Sequence, residues 1–251
     1  MGQGGSVGAG GSTAPAKGGT AGTPGAGGSV QGGSGGSGPT GVDLSGTWIS
    51  DVKTTGTESL PFITTVSANI EFVFRLVLTS AGDTLNVRLD ICRLTAVSTP
   101  DPTALGVTFT PAVIATMTTT GSEGTPVVNV GDPIPLPAFT MLSGITGSGT
   151  AVDADSDSHP GVTVPGTTWN NTSVNAYVGL TIQTSLSPTL SAQDSMSGTA
   201  SFDCAGKIFG SDNALLTSGD ISVAPDSKTI PFTAKRLAGD VPCSDVLKAL
   251  P

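Results

Sequence analysis

The chain has 251 residues, 36 of them glycine, and its 10 basic against 19 acidic side chains give a net charge of −9. The acidic balance argues against nucleic acid as a partner, because phosphates want a basic face, and no run approaches the ~18–20 consecutive apolar residues of a membrane-spanning helix. Eighteen of the glycines fall in residues 1–41, so length overstates the folded part.

Apart from Met1, Gln3, Val7, Lys17, Val30 and Gln31, residues 1–41 contain only Gly, Ala, Ser, Thr and Pro. That leaves almost no apolar surface to offset the entropy of ordering, so a flexible tether is predicted, with a root-mean-square span of roughly 35 Å. Such a tether suits a surface protein held off a membrane; a low-complexity tail with no anchoring role is the alternative. No charged n-region or apolar h-region stands before it, and on this reading Met1 replaces a removed signal peptide or a lipid-modified cysteine.

Residues 42–251 are read as a single domain. A short strand is predicted over 46–53. The clearest periodicity follows: Ile70, Phe72, Phe74, Leu76 and Leu78 share one parity, Ser80-Ala81-Gly82-Asp83 makes a turn, and Leu85, Val87, Leu89 and Ile91 continue the alternation. This is a β-hairpin pattern. Shorter strands are expected over 107–117 and 138–143, with turn-rich stretches at 98–105, 121–137 and 144–170. Val174, Ala176, Val178, Leu180 and Ile182 mark a second long strand that should break at Ser187-Pro188. The run 196–209 contains Gly198 and Gly206, which suggest bulges or sharp bends, and a last strand is expected over 229–237. Only 244–250 reads as a helix, with Ser244 as N-cap and Asp245 in its first turn.

These elements define an all-β fold. About eight to ten antiparallel strands, each with one apolar face, must cover that face by closing into an up-and-down barrel or, as second choice, by packing as a sandwich. Phe, Leu and Ile on one parity alone leave the other to water, and 8 Phe, 2 Trp and 1 Tyr are too few for the aromatic girdles of an outer-membrane barrel. Three cysteines, Cys92, Cys204 and Cys243, allow one disulfide and one thiol. Cys92–Cys243 is favoured because it would clip the C-terminal tail to the wall, Cys204–Cys243 is the close alternative, and three reduced, buried thiols also remain open.

Asp43-Leu44-Ser45-Gly46-Thr47-Trp48 opens the domain, and its Gly-x-Trp resembles the lipocalin-like (calycin) pattern. The resemblance implies a tryptophan closing one end of the barrel, with a basic residue of the final strand, here Arg236, packed over it. Asp153-Ala154-Asp155-Ser156-Asp157-Ser158-His159-Pro160-Gly161-Val162-Thr163-Val164, together with the Gly-rich tether, resembles a loop of uncharacterised lipid-anchored surface proteins of myxobacterial type. That second resemblance implies export, anchoring and a loop that holds calcium, and it carries no function.

The loop reads as a metal site on its own residues too. Asp153, Asp155 and Asp157 at i, i+2 and i+4 can turn three hard oxygens to one centre, with the His159 carbonyl at position seven. A full calcium loop has a glycine at position six and a bidentate acid at position twelve, where Ser158 and Val164 stand here. Any Ca²⁺ affinity should therefore lie near the weak extracellular end, around 10⁻⁴–10⁻³ M. An acidic solvated turn is the alternative.

Catalytic patterns are lacking. His159 is the sole histidine, and Gly-x-Ser-x-Gly occurs only inside the glycine-rich segment, at 4–8 and 32–36, with no strand-to-helix elbow to carry it, which speaks against a Ser-His-Asp hydrolase. The histidine and cysteines have no zinc spacing, no Gly-Lys-Ser/Thr follows the glycines, and Glu58, Glu71 and Glu123 sit in no glycosidase motif. A non-enzymatic role is expected. Phe72, Phe74, Leu76 and Leu89 would line a small apolar ligand inside the barrel, or else fill a dry core. Trp169 and Tyr177 beside the acidic loop would instead stack on sugar rings, giving a calcium-assisted carbohydrate-binding or adhesion surface. No obligate oligomer is expected, and the location is the outer membrane, the cell surface or the medium.

Overall fold

The computed structural model describes residues 41–61, 63–98, 106–108, 111–115, 117–167, 172–214 and 218–249. The predicted tether, Gly41 excepted, and Trp169 lie outside these described residues. Strands dominate, as the alternation requires. β1 (Val42–Asp43) leads into β2 (Gly46–Leu60), β3 (Ile63–Ala81) and β4 (Thr84–Ser98), the last three an antiparallel meander. The β3–β4 hairpin closes over Gly82-Asp83, where Gly82 takes φ +64°, a conformation open to a residue without Cβ. Ile70, Phe72, Phe74, Leu76 and Leu78 are all buried on one face.

β4 contains one extra residue. Phe74 pairs with Ile91 and Val73 with Arg93, so Cys92 is bulged out of the ladder. The bulge swaps parity: Leu85, Val87, Leu89 and Ile91 and then Leu94 stay with the main core, while Cys92 joins a second cluster with Ile49, Val73 and Val246. Val246 belongs to α2 (Cys243–Ala249), which lies against this cluster and is tied to it by the Cys92–Cys243 disulfide, Cα–Cα 5.0 Å. The favoured pairing is thus the one that forms, and Cys204 is a buried free thiol. Arg75 adds a polar tie. Its Nε and Nη2 donate to Asp90 Oδ2 at 2.9 and 2.6 Å, and its Nη1 donates to the Val241 carbonyl and to Asp240 Oδ1.

The expected strand over 107–117 is not continuous. β5 (Gly106–Thr108) and β6 (Thr118–Ser122) both pair with β4, and α1 (Pro111–Ala115) stands between them. Pro111 occupies the first helical position, where its missing N–H costs nothing, and Val113 and Met117 drop into the main core. The stretch read as turns around 121–137 also holds β7 (Val127–Val128), paired with β1.

β8 (Phe139–Ser143) and β9 (Val162–Thr167) lie end to end along β10 (Ser173–Ala192), with Ser143 opposite Leu180 and Val162 opposite Val178. Residues 144–161 therefore leave and rejoin one strand line. The predicted insert 144–170 is shorter than expected because Val162 and Val164 bury their side chains and draw 162–167 into the sheet. β11 (Ser195–Ser211) pairs along β10 without a break at Ser187-Pro188. Pro188 faces Gly198, where a Cβ would stand 2.1 Å from the Ser187 carbonyl oxygen, so the glycine makes room for the proline-bearing strand. Neither Gly198 nor Gly206 marks a bulge; the register slips at Phe209, between Tyr177↔Gly210 and Val178↔Ile208. β12 (Gly219–Pro225) and β13 (Ile230–Leu237) share the line between β11 and β2.

The result is an 11-stranded antiparallel sheet in which hydrogen-bonded neighbours run β11–β13–β2–β3–β4–β5–β9–β10 and β10 pairs again with β11. Among the described residues the β5–β9 link is the bridge Val107↔Gly166. An all-β antiparallel fold with a short C-terminal helix is what the periodicity predicts.

Candidate functional site

One end of the interior is packed around Trp48. Trp48, Leu76 and Leu89 form a row across β2, β3 and β4, all fully buried, and Trp48 Nε1 donates to the Leu44 carbonyl at 2.9 Å. Arg236 pairs with Trp48 in register, places its guanidinium carbon 5.5 Å from the ring centroid, and donates to the Ser45 carbonyl. A cation over an aromatic face is an attractive pairing. Gly46 turns at φ +142° beneath this guanidinium.

The next layer is aromatic. Phe72 lies 5.3 Å from Phe74 and 5.4 Å from Phe202, and Phe74 meets Phe232 edge-on at 5.8 Å. The structure thus brings Phe72, Phe74, Leu76 and Leu89 into one apolar cluster, as the parity requires. Tyr177 stands apart from them, half-buried on the opposite parity of β10.

Beyond Phe72 the interior changes character. Glu58, on the inward parity of β2, is 1 % exposed, and its Oε2 has no hydrogen-bond partner among the described residues. Its pairing partners are Val66 on β3 and Val223 on β12, and Val223 in turn pairs with Cys204 on β11. Burial pushes the Glu58 carboxyl up to about 7, and burial with the neighbouring Asp203 and Glu58 charges pushes the Cys204 thiol up to about 12. The strand expected over 46–53 extends to Leu60, which brings Glu58 into the sheet. Carrying the parity of Trp48, Ser50 and Val52 onward would have placed it inside.

The acidic excursion forms a second region. Asp153 accepts the amides of Asp157 and Ser158, Asp157 Oδ1 accepts that of His159, and Asp155 Oδ2 accepts that of Thr163 at 2.7 Å. The Thr163 hydroxyl, donating to Asp157 Oδ2, and the His159 amide hold the Asp157 carboxyl below the usual range. Ser156 and Ser158 take φ +61° and +72°, so Ser158 adopts the left-handed turn for which a full calcium loop uses glycine. One carboxylate oxygen from each of Asp153, Asp155 and Asp157 lies within 4.8 Å of the other two, and Asp155 Oδ1 is buried without a partner among the described residues. The His159 ring stacks on Tyr177 at 4.0 Å and 8°. The loop's geometry therefore brings the three predicted carboxylates together and sets Tyr177 beside them.

On the outer parity of β10 and β11, a cavity of about 610 Å³ is lined by Gln183, Ser185, Ser201 and Asp203 together with Lys228, none of them a residue singled out from the sequence. No helix among the described residues is long and apolar enough to cross a membrane, and the disulfide is of the kind that persists in oxidising compartments. The chain matches no protein-family model and no curated protein.

Proposed function

We propose that the protein is an exported, surface-held, non-enzymatic binding protein whose sheet closes into a lipocalin-like barrel that takes a small apolar ligand. The observation that carries this reading is the run of pairings that returns from β10 to β11 around a continuous apolar interior. Trp48 with Arg236 fills one end, and the Glu58 end, where the aromatic layer stops, is where a ligand would sit. Residues 1–41 serve as the tether, attached through an N-terminal lipid. The test is titration with the neutral fluorophore N-phenyl-1-naphthylamine. A saturable, one-to-one rise in emission, abolished by filling the interior with Val223→Trp, supports the reading, and no rise overturns it.

A second reading has its own observation in Asp155 Oδ1, which is buried and unpartnered beside two further carboxylates. Weak Ca²⁺ binding there would order the excursion, and Tyr177 with Trp169 would then offer stacking faces to a glycan. A rise in melting temperature with millimolar Ca²⁺, lost in Asp155→Ala, supports it; identical melting with and without Ca²⁺ overturns it.

A further inference from the structure

We infer that Glu58 is the polar anchor of the interior site, and that its ligand is an apolar molecule ending in one basic nitrogen; this rests on the interior-ligand reading above. Buried carboxylate oxygens are almost always hydrogen-bonded, and each orphan requires an explanation. Glu58 Oε2 is such an orphan on a side chain 1 % exposed. Among the described residues its paired neighbours supply no cation. Val66 and Val223 flank it, and on β3, β11 and β12 the Cys204 thiol is the one titratable group among the described residues on the inward parity, while Arg236 of β13 shares that parity but is engaged at the far end by Trp48 and the Ser45 carbonyl. Asp51 and Lys53 of β2 and Glu71 of β3 ion-pair with one another through Lys53 on the outer parity, Arg75 of β3 serves Asp90 and Asp240 there, and Asp203 and Lys207 of β11 and Asp220 of β12 are exposed. β10 contributes Tyr177 alone, beside the acidic loop.

An alkylammonium group placed at Oε2 supplies the missing partner. In apolar surroundings a charge-assisted N⁺–H···O⁻ contact is stronger than a neutral one. Burial keeps the empty site's carboxyl protonated below about pH 7, so an ammonium ion entering at pH 6 forms the ion pair as the carboxyl proton leaves to solvent. A carboxylate-headed ligand would instead set two anions side by side. Access would lie at β12, a seven-residue strand with no fully buried residue that pairs with β2 at Glu58.

The experiment is isothermal titration of the full chain with decylamine, decanol and decanoate at pH 6 in buffers of different ionisation enthalpy. Decylamine should bind one-to-one, at least about tenfold more tightly than the other two, with release of close to one proton. Glu58→Gln should lower decylamine to the decanol level and end the proton release. If Glu58→Gln does not fold, Glu58→Asp, which withdraws the carboxyl by one methylene, should lose most of the preference. No preference for decylamine in the native chain, or an undiminished preference in either variant, overturns the anchor while decanol binding keeps the interior reading. If none of the three ligands binds, both fall.

Discussion

Replacing Glu58 with glutamine should remove most of one pH dependence from the protein's stability. The carboxyl is raised from an ordinary 4.5 to about 7 by burial. Below pH 4.5 the folded and unfolded chains both hold the proton, and the group contributes no pH dependence. Between 4.5 and 7 the unfolded chain releases its proton while the folded chain keeps it, so stability falls as pH rises. Above 7 the full penalty is present, about 3 kcal/mol at ~1.4 kcal/mol per pH unit. Asp43 and Asp157 act in the opposite sense, since their carboxyls are held low by hydrogen bonds from Ser45 and Thr163. Their contribution is lost only below the ordinary aspartate range and does not overlap this window. Urea unfolding at pH 4.5, 5.5, 6.5 and 7.5, followed by tryptophan fluorescence with the disulfide intact, should show the native chain losing about 3 kcal/mol relative to Glu58→Gln across the series. With a urea slope of roughly 2 kcal/mol per molar, the midpoints separate by about 1–2 M. An unpaired glutamine amide adds a constant offset, so the change with pH is the quantity to read. Parallel profiles for the two proteins would refute the burial of an unpartnered Glu58.

Three further outcomes follow from the geometry. Cys92→Ala with Cys243→Ala opens a crosslink spanning 151 residues and should cost about 2–5 kcal/mol, with early proteolysis of the tail beyond Leu237 in limited digests. Gly198→Ala forces a Cβ against the Ser187 carbonyl, and thermal melting should show a loss of about 1–3 kcal/mol, whereas Gly82→Ala meets no neighbour and costs only the strain of its positive φ. Arg236→Ala removes the cation over Trp48 and the bond to the Ser45 carbonyl, with an expected loss of about 1–2 kcal/mol by urea unfolding that Arg236→Lys restores only in part.

The core was legible where period two held without interruption. Ile70 to Leu78 and Leu85 to Ile91 appear in the structure on the face the alternation assigns them, and the Gly82-Asp83 turn joins them. Glycine and proline are ambiguous in sequence because each has two uses. Pro188 reads as a stop, yet its opposite neighbour Gly198 lets the ladder continue. The bulges that matter, at Cys92 and Phe209, carry no glycine and cannot be seen without the partner strand. The strand lines shared by β8 and β9, and by β12 and β13, are likewise tertiary facts: short segments acquire strand geometry from β10, β11 and β2 rather than from their own composition. At the sites, i, i+2, i+4 spacing was enough to bring three aspartates together. Glu58 was hidden because an acid on an inward parity looks like a strand end until the strand on both sides of it is known.

The central claim is that the interior takes an apolar ligand in an exported, disulfide-closed domain. Native mass spectrometry of the full chain, purified without detergent and incubated with decanol and decylamine, tests it most directly. The expected result is a one-to-one complex on a chain two hydrogens lighter than the fully reduced form, with one alkylatable thiol after unfolding. A bare chain that stays bare in ligand excess, or three alkylatable thiols, would contradict it.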